Sequence, residues 1–110
     1  MSAIFGVAGN SETYTKTVSK SSAKAPAWLR SIGLDAYEYQ CGKGVHVGEE
    51  TARQIGANAA AAGIVMSLHA PYFINLANPD PESLKKTIGY ITAACRVADW
   101  LGAGRVIVHT

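Results

Sequence analysis

The stretches VMSLH (65–69) and RVIVH (105–109) decide the fold of this chain. Each is a short apolar run of the kind that forms a strand, and each ends in a histidine, His69 or His109. One long helical pattern separates them, so the order is strand, loop, helix, strand. In parallel α/β folds the functional groups lie at the carboxyl ends of the strands. Both imidazoles are therefore expected at the edge of the sheet where functional sites occur.

The alternation of side chains within each stretch predicts where the histidines point. Successive residues of a strand face opposite sides of the sheet, so the even-numbered residues of each stretch share the face opposite its histidine. If helices cover the even-numbered side, both histidines point to the open side. Neighbouring strands lie about 4.8 Å apart, so two imidazoles at adjacent strand ends can converge on one metal ion. The alternative is a pair of histidines that hydrogen-bond to backbone groups.

The chain repeats one unit, in which a helix ends at a glycine and a strand follows after a short linker. The glycines are Gly33, Gly63 and Gly102, and each fits the left-handed position just beyond a helix. Asp80 and Pro81 suit the N-cap and the first position of the last helix. The pattern predicts strands near 3–8, 35–40, 65–69 and 105–109, and helices near 22–32, 49–62 and 81–101.

Each predicted helix has an apolar face that is expected to be buried. The face of the last helix consists of Leu84, Ile88, Ile91, Cys95, Ala98 and Leu101, at steps of three and four residues. The face of the middle helix consists of Ala52, Ile55, Ala59 and Ala62, and the first helix offers Trp28, Leu29 and Ile32. Cys95 is accordingly expected to be a buried free thiol.

Strands that alternate with helices predict an α/β fold with parallel strands and right-handed crossovers. About four strands and three helices form half of a (βα)8 barrel, which typically needs about 250 residues. We expect residues 1–110 to form the N-terminal half of such a barrel. Half of a barrel leaves strand edges unpaired, which predicts pairing with the rest of a barrel or self-association.

Composition excludes several classes of protein. The hydrophobic fraction of 48% argues against disorder, and the net charge of +2 neither identifies nor excludes a nucleic-acid partner. Two cysteines do not suggest a disulfide framework. The sequence has no apolar run that could span a membrane, and its first residues lack the pattern of a signal peptide. A cytoplasmic location without a membrane partner is the simplest expectation.

Three further features belong to the expected carboxyl edge of the sheet. The loop after the third strand is long and presents Tyr72 and Phe73, which can stack on bases or sugars or can fold back to pack the loop. Glu38, near the end of the second strand, is either a ligand or base facing the substrate, or a hydrogen-bonded rim residue. His46 lies in a glycine-rich loop and is expected to be solvated.

The residues HAPYFINL (69–76), the long helix after them, and VIVH (106–109) resemble the N-terminal part of the endonuclease IV family. Members are zinc-dependent apurinic/apyrimidinic endonucleases with a xylose-isomerase-like (βα)8 barrel. The resemblance implies that His69 and His109 bind zinc together with a glutamate from a later strand. It also implies that Tyr72 and Phe73 insert into DNA at an abasic site, and that Asn75 belongs to the same motif.

The resemblance implies hydrolysis of a DNA phosphodiester in base excision repair, with the abasic nucleotide held out of the stack. The remaining zinc ligands of the family come from later strands, so the 110-residue chain is expected to have little or no nuclease activity alone. Related barrels include sugar-phosphate isomerases and epimerases. The alternative is therefore a metal-dependent enzyme that acts on a phosphosugar, with Glu38 near the substrate.

Overall fold

Four parallel strands form one sheet in the order β1-β2-β3-β4, and helices follow the first three strands in the sequence. The computed structural model describes residues 2–110. The strands are β1 (Gly6–Ala8), β2 (Ala36–Gln40), β3 (Val65–His69) and β4 (Val106–Ile107). The helices are α1 (Glu12–Thr17), α2 (Ala25–Ser31), α3 (Glu49–Ala62) and α4 (Pro81–Leu101), and a short 3-10 turn (Ser22–Lys24) precedes α2. The predicted α/β fold of parallel βα units is confirmed.

The two long helices have the predicted bounds because their ends are encoded locally. The side chain of Asp80 accepts a hydrogen bond from the backbone N–H of Ser83, which caps α4. At the other ends Gly63 and Gly102 have φ of 68° and 67°, the left-handed conformation in which glycine carries no Cβ penalty. Gly33 has φ of 85° and turns the chain from α2 toward β2.

The first part of the chain differs from the prediction. A helix, α1, forms at Glu12–Thr17, where none was predicted, and Ser11 caps it by accepting a hydrogen bond from the N–H of Tyr14. The segment contains three threonines, which have low helix propensity, so its sequence did not indicate a helix. The predicted helix near 22–32 divides into the 3-10 turn and α2. β1 and β4 are shorter than predicted, with three and two residues, and each pairs with a neighbour on one side only.

The core lies between the helices and one face of the sheet. Met66 and Leu68 are buried there, and Val106 and Val108 pack against the same core. The opposite face of the sheet is open, as Val65 at 47% exposure shows. The predicted alternation of β3 and β4 is thus confirmed, and the histidine side of both strands is the open side.

Three residues that were expected in the core are exposed. The buried side of α4 is centred on Thr87, Ala94 and Ala98, so Ile88 and Cys95 each lie about 100° away around the helix. Ile88 is 53% exposed and Cys95 is an exposed thiol, which corrects the prediction for both. Ile32 is 52% exposed because it stands at the C-cap of α2, where φ of −100° and ψ of 10° end the helix. Leu29 is buried as predicted and Trp28 packs against the core.

Within residues 2–110, no helix combines the length and the apolar character needed to cross a membrane. The cytoplasmic location and the self-association remain predictions.

Candidate functional site

Two histidines meet at the carboxyl edge of the sheet. His69 is the last residue of β3, and His109 lies two residues beyond the end of β4. Their ring centroids are 4.9 Å apart, with an angle of 42° between the ring planes. β3 and β4 are adjacent and parallel, with His69 in register with Ile107, so the alternation of side chains carries His109 to the same face. The predicted juxtaposition of the two imidazoles is present.

The ring of His69 is held in one orientation by the backbone beside it. Its Nδ1 lies 2.7 Å from the carbonyl oxygen of Ala70. A carbonyl oxygen can only accept, so Nδ1 carries the proton and donates this hydrogen bond. The lone pair of the neutral ring is then on Nε2. This is the arrangement of a metal-ligating histidine, in which one nitrogen is fixed by a hydrogen bond and the other is a free donor atom.

The backbone around His69 is equally fixed. The N–H of Cys41 donates to the carbonyl oxygen of His69, at 2.9 Å, and the N–H of Ala70 donates to the carbonyl oxygen of Ile107, at 2.9 Å. These bonds extend the pairing of β3 to both neighbouring strands just where β3 ends. The half-buried ring of His69 thus stands on a rigid strand end rather than on a mobile loop.

The donor set fits part of a metal site. Zinc sites use three or four protein ligands, and two imidazoles can supply two of them. Among residues 2–110, no third histidine, cysteine, aspartate or glutamate joins the pair to make a metal-binding group. The described chain therefore contains a two-histidine pair and not a complete metal site.

Glu38 lies on the open face of the sheet, one strand away from His69. It is in register with Ser67 on β3 and with Ala8 on β1, and these three residues line a shallow cavity of about 230 Å³. Its Oε1 accepts a hydrogen bond from Nε2 of Gln40, at 3.1 Å, and Gln40 is in register with His69. Glu38 is thus a hydrogen-bonded residue that faces the cavity.

Two aromatic rings of the loop after β3 and one ring of α4 form a chain of contacts. Tyr72 is 68% exposed and Phe73 is 43% exposed, and their rings meet edge to face with centroids 5.7 Å apart. Phe73 also packs edge to face on Tyr90 of α4, with centroids 4.9 Å apart. Ile74, the next residue, is buried and anchors the loop. Phe73 therefore folds back onto a helix, whereas Tyr72 projects into solvent.

The side chain of Asn75 forms a hydrogen bond within its own loop. Its Oδ1 accepts a hydrogen bond from the N–H of Ala77, at 3.1 Å, and the residue is exposed. This short-range turn is a common use of asparagine in loops. The structure does not place its side chain in a hydrogen bond with either histidine.

Tyr90 was not identified from the sequence. It lies between the predicted core positions of α4, and no short-range pattern links it to Phe73, seventeen residues earlier. The only available signal was an aromatic side chain outside the apolar stripe of an otherwise polar helix surface.

Comparison with known proteins gives the family. Residues 26–110 match the family model described as xylose isomerase-like TIM barrel, and the chain belongs to this family. It is 30% identical over 103 residues to an uncharacterised protein of Methanocaldococcus jannaschii, a match that covers 94% of this chain and 35% of that protein. Its fold is similar to that of D-psicose 3-epimerase from Clostridium cellulolyticum, solved with D-tagatose, with a TM-score of 0.66 and 17% identity.

The structural match covers 76% of this chain and 30% of the epimerase. The chain thus spans about a third of the length of the proteins it matches. The likeness to the epimerase establishes the barrel type of fold.

Proposed function

We propose that this chain is part of a zinc-dependent phosphodiester hydrolase of the endonuclease IV kind, which acts at abasic sites in DNA. The observation that supports it most is the His69–His109 pair, with ring centroids 4.9 Å apart and Nδ1 of His69 bound to a carbonyl oxygen. His69 and His109 would hold the metal through ring nitrogens. Zinc bound there supplies Lewis acidity toward a phosphoryl oxygen and activates a water molecule.

In this proposal the aromatic loop after β3 contacts the DNA. Tyr72 projects into solvent at the same edge of the sheet as the histidines, and a base has a flat face on which such a ring can stack. An abasic site leaves a gap in the base stack, which an aromatic side chain can fill while the damaged nucleotide is held outside. Phe73 packs between Tyr90 and Tyr72 and so supports the ring of Tyr72.

The 110-residue chain requires further ligands for this chemistry. Residues 2–110 offer no third metal-binding side chain beside the pair, and the chain spans 30–35% of the proteins it matches. We infer that the remaining ligands come from a part of the barrel outside this chain. Weak zinc binding and little or no nuclease activity are expected of the 110 residues alone.

The test is equilibrium binding of the chain, with and without zinc, to a DNA duplex that carries a tetrahydrofuran analogue of an abasic site. The proposal predicts tighter binding to this duplex than to the same duplex without the lesion, and a loss of the difference in Tyr72→Ala. Leu76→Ala, another exposed apolar residue of the loop, is the matched control and should keep the preference. Equal binding to both duplexes would contradict the proposal.

A second function, isomerisation or epimerisation of a phosphosugar at one divalent ion, is favoured by one observation. Glu38 faces a cavity on the open side of the sheet beside Ser67, where a carboxylate can act as a base toward a sugar. The aromatic loop would then pack on the sugar. A preference for the abasic duplex, with no response of the Glu38 cavity to phosphosugars in NMR titrations, would reject this alternative.

A further inference from the structure

A second cavity lies at the carboxyl end of β2, in the segment that joins β2 to α3. Its volume is about 510 Å³, and its walls are the end of β2 and the glycine-rich loop 41–47. Gln40, in its wall, is in register with His69, and the N–H of Cys41 donates to the carbonyl oxygen of His69. The cavity therefore opens at the same edge of the sheet as the candidate site.

The lining of this cavity includes the ammonium group of Lys43 and the imidazole of His46. Among the described residues 2–110, no aspartate or glutamate lines it. The two other titratable residues stay neutral near pH 7, because burial raises the pKa of the Tyr39 phenol and of the Cys41 thiol. Lys43 forms no ion pair with any residue of the described range 2–110.

Two carboxylates that flank the loop in sequence have partners of their own. Glu38 accepts a hydrogen bond from Gln40, and Glu49 pairs with Arg53 one helical turn along α3, with 2.9 Å between Nε and Oε1. Neither Glu38 nor Glu49 lines the cavity. A negative group of a ligand would therefore meet the ammonium group of Lys43 and the imidazole of His46 there.

Gly44 brings the imidazole of His46 into the wall. Its φ of 129° is one that residues with a Cβ rarely adopt, and its N–H donates to the carbonyl oxygen of Cys41, at 2.9 Å. A Cβ at position 44 would lie 2.6 Å from Nε2 of His46. Only glycine therefore permits both the turn and the position of this ring, which folds back over the loop although it is solvent-exposed as predicted.

We propose that this cavity binds a phosphate group of the substrate, with Lys43 and His46 as the residues that contact it. The inference rests on the proposed function, since both a DNA phosphodiester and a phosphosugar place a phosphate near the histidine pair. An ammonium group and an imidazole N–H are both donors to phosphate oxygens, and the charge of the ammonium group strengthens its bond. The subsite would hold a phosphate of the substrate while the reacting group lies at His69 and His109.

The test is titration of the 110-residue chain with inorganic phosphate at fixed pH without metal, followed by 1H–15N NMR. Saturable shifts are expected at the backbone amides of 42–48, with binding about two- to fivefold weaker in Lys43→Ala and in His46→Ala, since each exposed side chain contributes only a small part of the binding free energy. Lys20→Ala, which removes an exposed lysine from the linker after α1, is the matched control and should bind as the parent does. The dispersed spectrum of each variant reports that it is folded.

Unchanged affinity in Lys43→Ala and His46→Ala, an equal loss in Lys20→Ala, or the absence of shifts in the loop would overturn the inference. Repeating the titration with a dinucleoside monophosphate and with ribose 5-phosphate distinguishes the sources of the phosphate. Tighter binding of the first assigns the subsite to a DNA phosphate, and tighter binding of the second assigns it to a phosphosugar. Because this test needs neither metal nor abasic DNA, failure of the proposed nuclease function would leave its result readable.

Discussion

Phe73 packs edge to face on Tyr90, with ring centroids 4.9 Å apart and an angle of 83° between the planes. This contact joins the loop after β3 to α4 and makes Phe73 the middle ring of three. The loop thereby gains a fixed shape, since Ile74 is buried and the N–H of Tyr72 donates to the carbonyl oxygen of Gly42, at 3.1 Å. The ring left free to meet a ligand is that of Tyr72.

Replacing Tyr90 with alanine should loosen this loop. An edge-to-face pair contributes about 0.5–1.5 kcal/mol, so Tyr90→Ala should raise amide hydrogen exchange in residues 72–78 with little change in the global stability. Tyr90→Phe keeps the ring and should exchange like the parent. Unchanged exchange in Tyr90→Ala would show that Phe73 does not depend on this contact.

Two helical glycines provide a matched pair for stability. A Cβ at Gly56 would lie 2.8 Å from the carbonyl oxygens of Trp100 and Leu101, so Gly56→Ala should destabilise the fold by about 1–3 kcal/mol through overpacking. Nothing lies within 4 Å of a Cβ at Gly89, so Gly89→Ala should stabilise α4 by about 0.5–1 kcal/mol. Urea denaturation measures both values, and a stable Gly56→Ala would contradict the close approach of α3 to α4.

The two cysteines should react with thiol reagents at very different rates. Cys95 is exposed on α4, whereas burial raises the pKa of the Cys41 thiol and lowers its thiolate fraction. Under native conditions at pH 8, one thiol per chain should react rapidly with a disulfide reagent. Cys95→Ser should remove this rapid phase and Cys41→Ser should retain it. The opposite pattern would restore the prediction that Cys95 is buried.

The cap of α4 should give a pH-dependent stability. Hydrogen bonds from the Ser83 side chain and then from its backbone N–H lower the pKa of Asp80 below its ordinary value of 3.8. A carboxyl with a lowered pKa in the folded state stabilises above its unfolded pKa, and this contribution is lost as the pH falls through the folded value. Thermal melting should show a gap between the parent and Asp80→Ala at pH 7 that narrows below pH 3.8.

Asp80→Asn supplies the control for that experiment. Asparagine caps helices as well as aspartate does but does not titrate. Its melting temperature relative to Asp80→Ala should therefore stay constant over the same pH range. A gap that narrows equally in Asp80→Asn would mean that other groups cause the pH dependence.

Local signals explain why much of the fold could be predicted. α4 begins at its capping residue Asp80, both α3 and α4 end at a glycine, and β3 shows its burial by simple alternation. α1 escaped prediction because its stabilising contact is the burial of Tyr14, which depends on the helix packing of Trp28 against it, with ring centroids 5.2 Å apart. Tertiary contacts of this kind override a weak local propensity.

The candidate site also has a part that the sequence predicts and a part that it does not. The sequence predicted the meeting of His69 and His109, since parallel strands bring their carboxyl ends to one edge. It did not predict that Phe73 packs on Tyr90 or that His46 folds over Gly44, because both contacts depend on the paths of loops. The exposure of Ile88 and Cys95 likewise depends on how α4 is rotated about its own axis against the sheet. The apolar stripe in the sequence does not define this rotation closely enough to place both residues.

Zinc titration, followed by the three histidine C–H signals in 1H NMR, shows whether His69 and His109 form one metal-binding pair. We expect the signals of His69 and His109 to shift together with one weak affinity, and that of His46, 23 residues before His69, to shift less and later. His69→Ala should abolish the shift of His109, and the reciprocal variant should abolish that of His69. Independent shifts of the two histidines, or zinc binding that survives both substitutions, would contradict the pair.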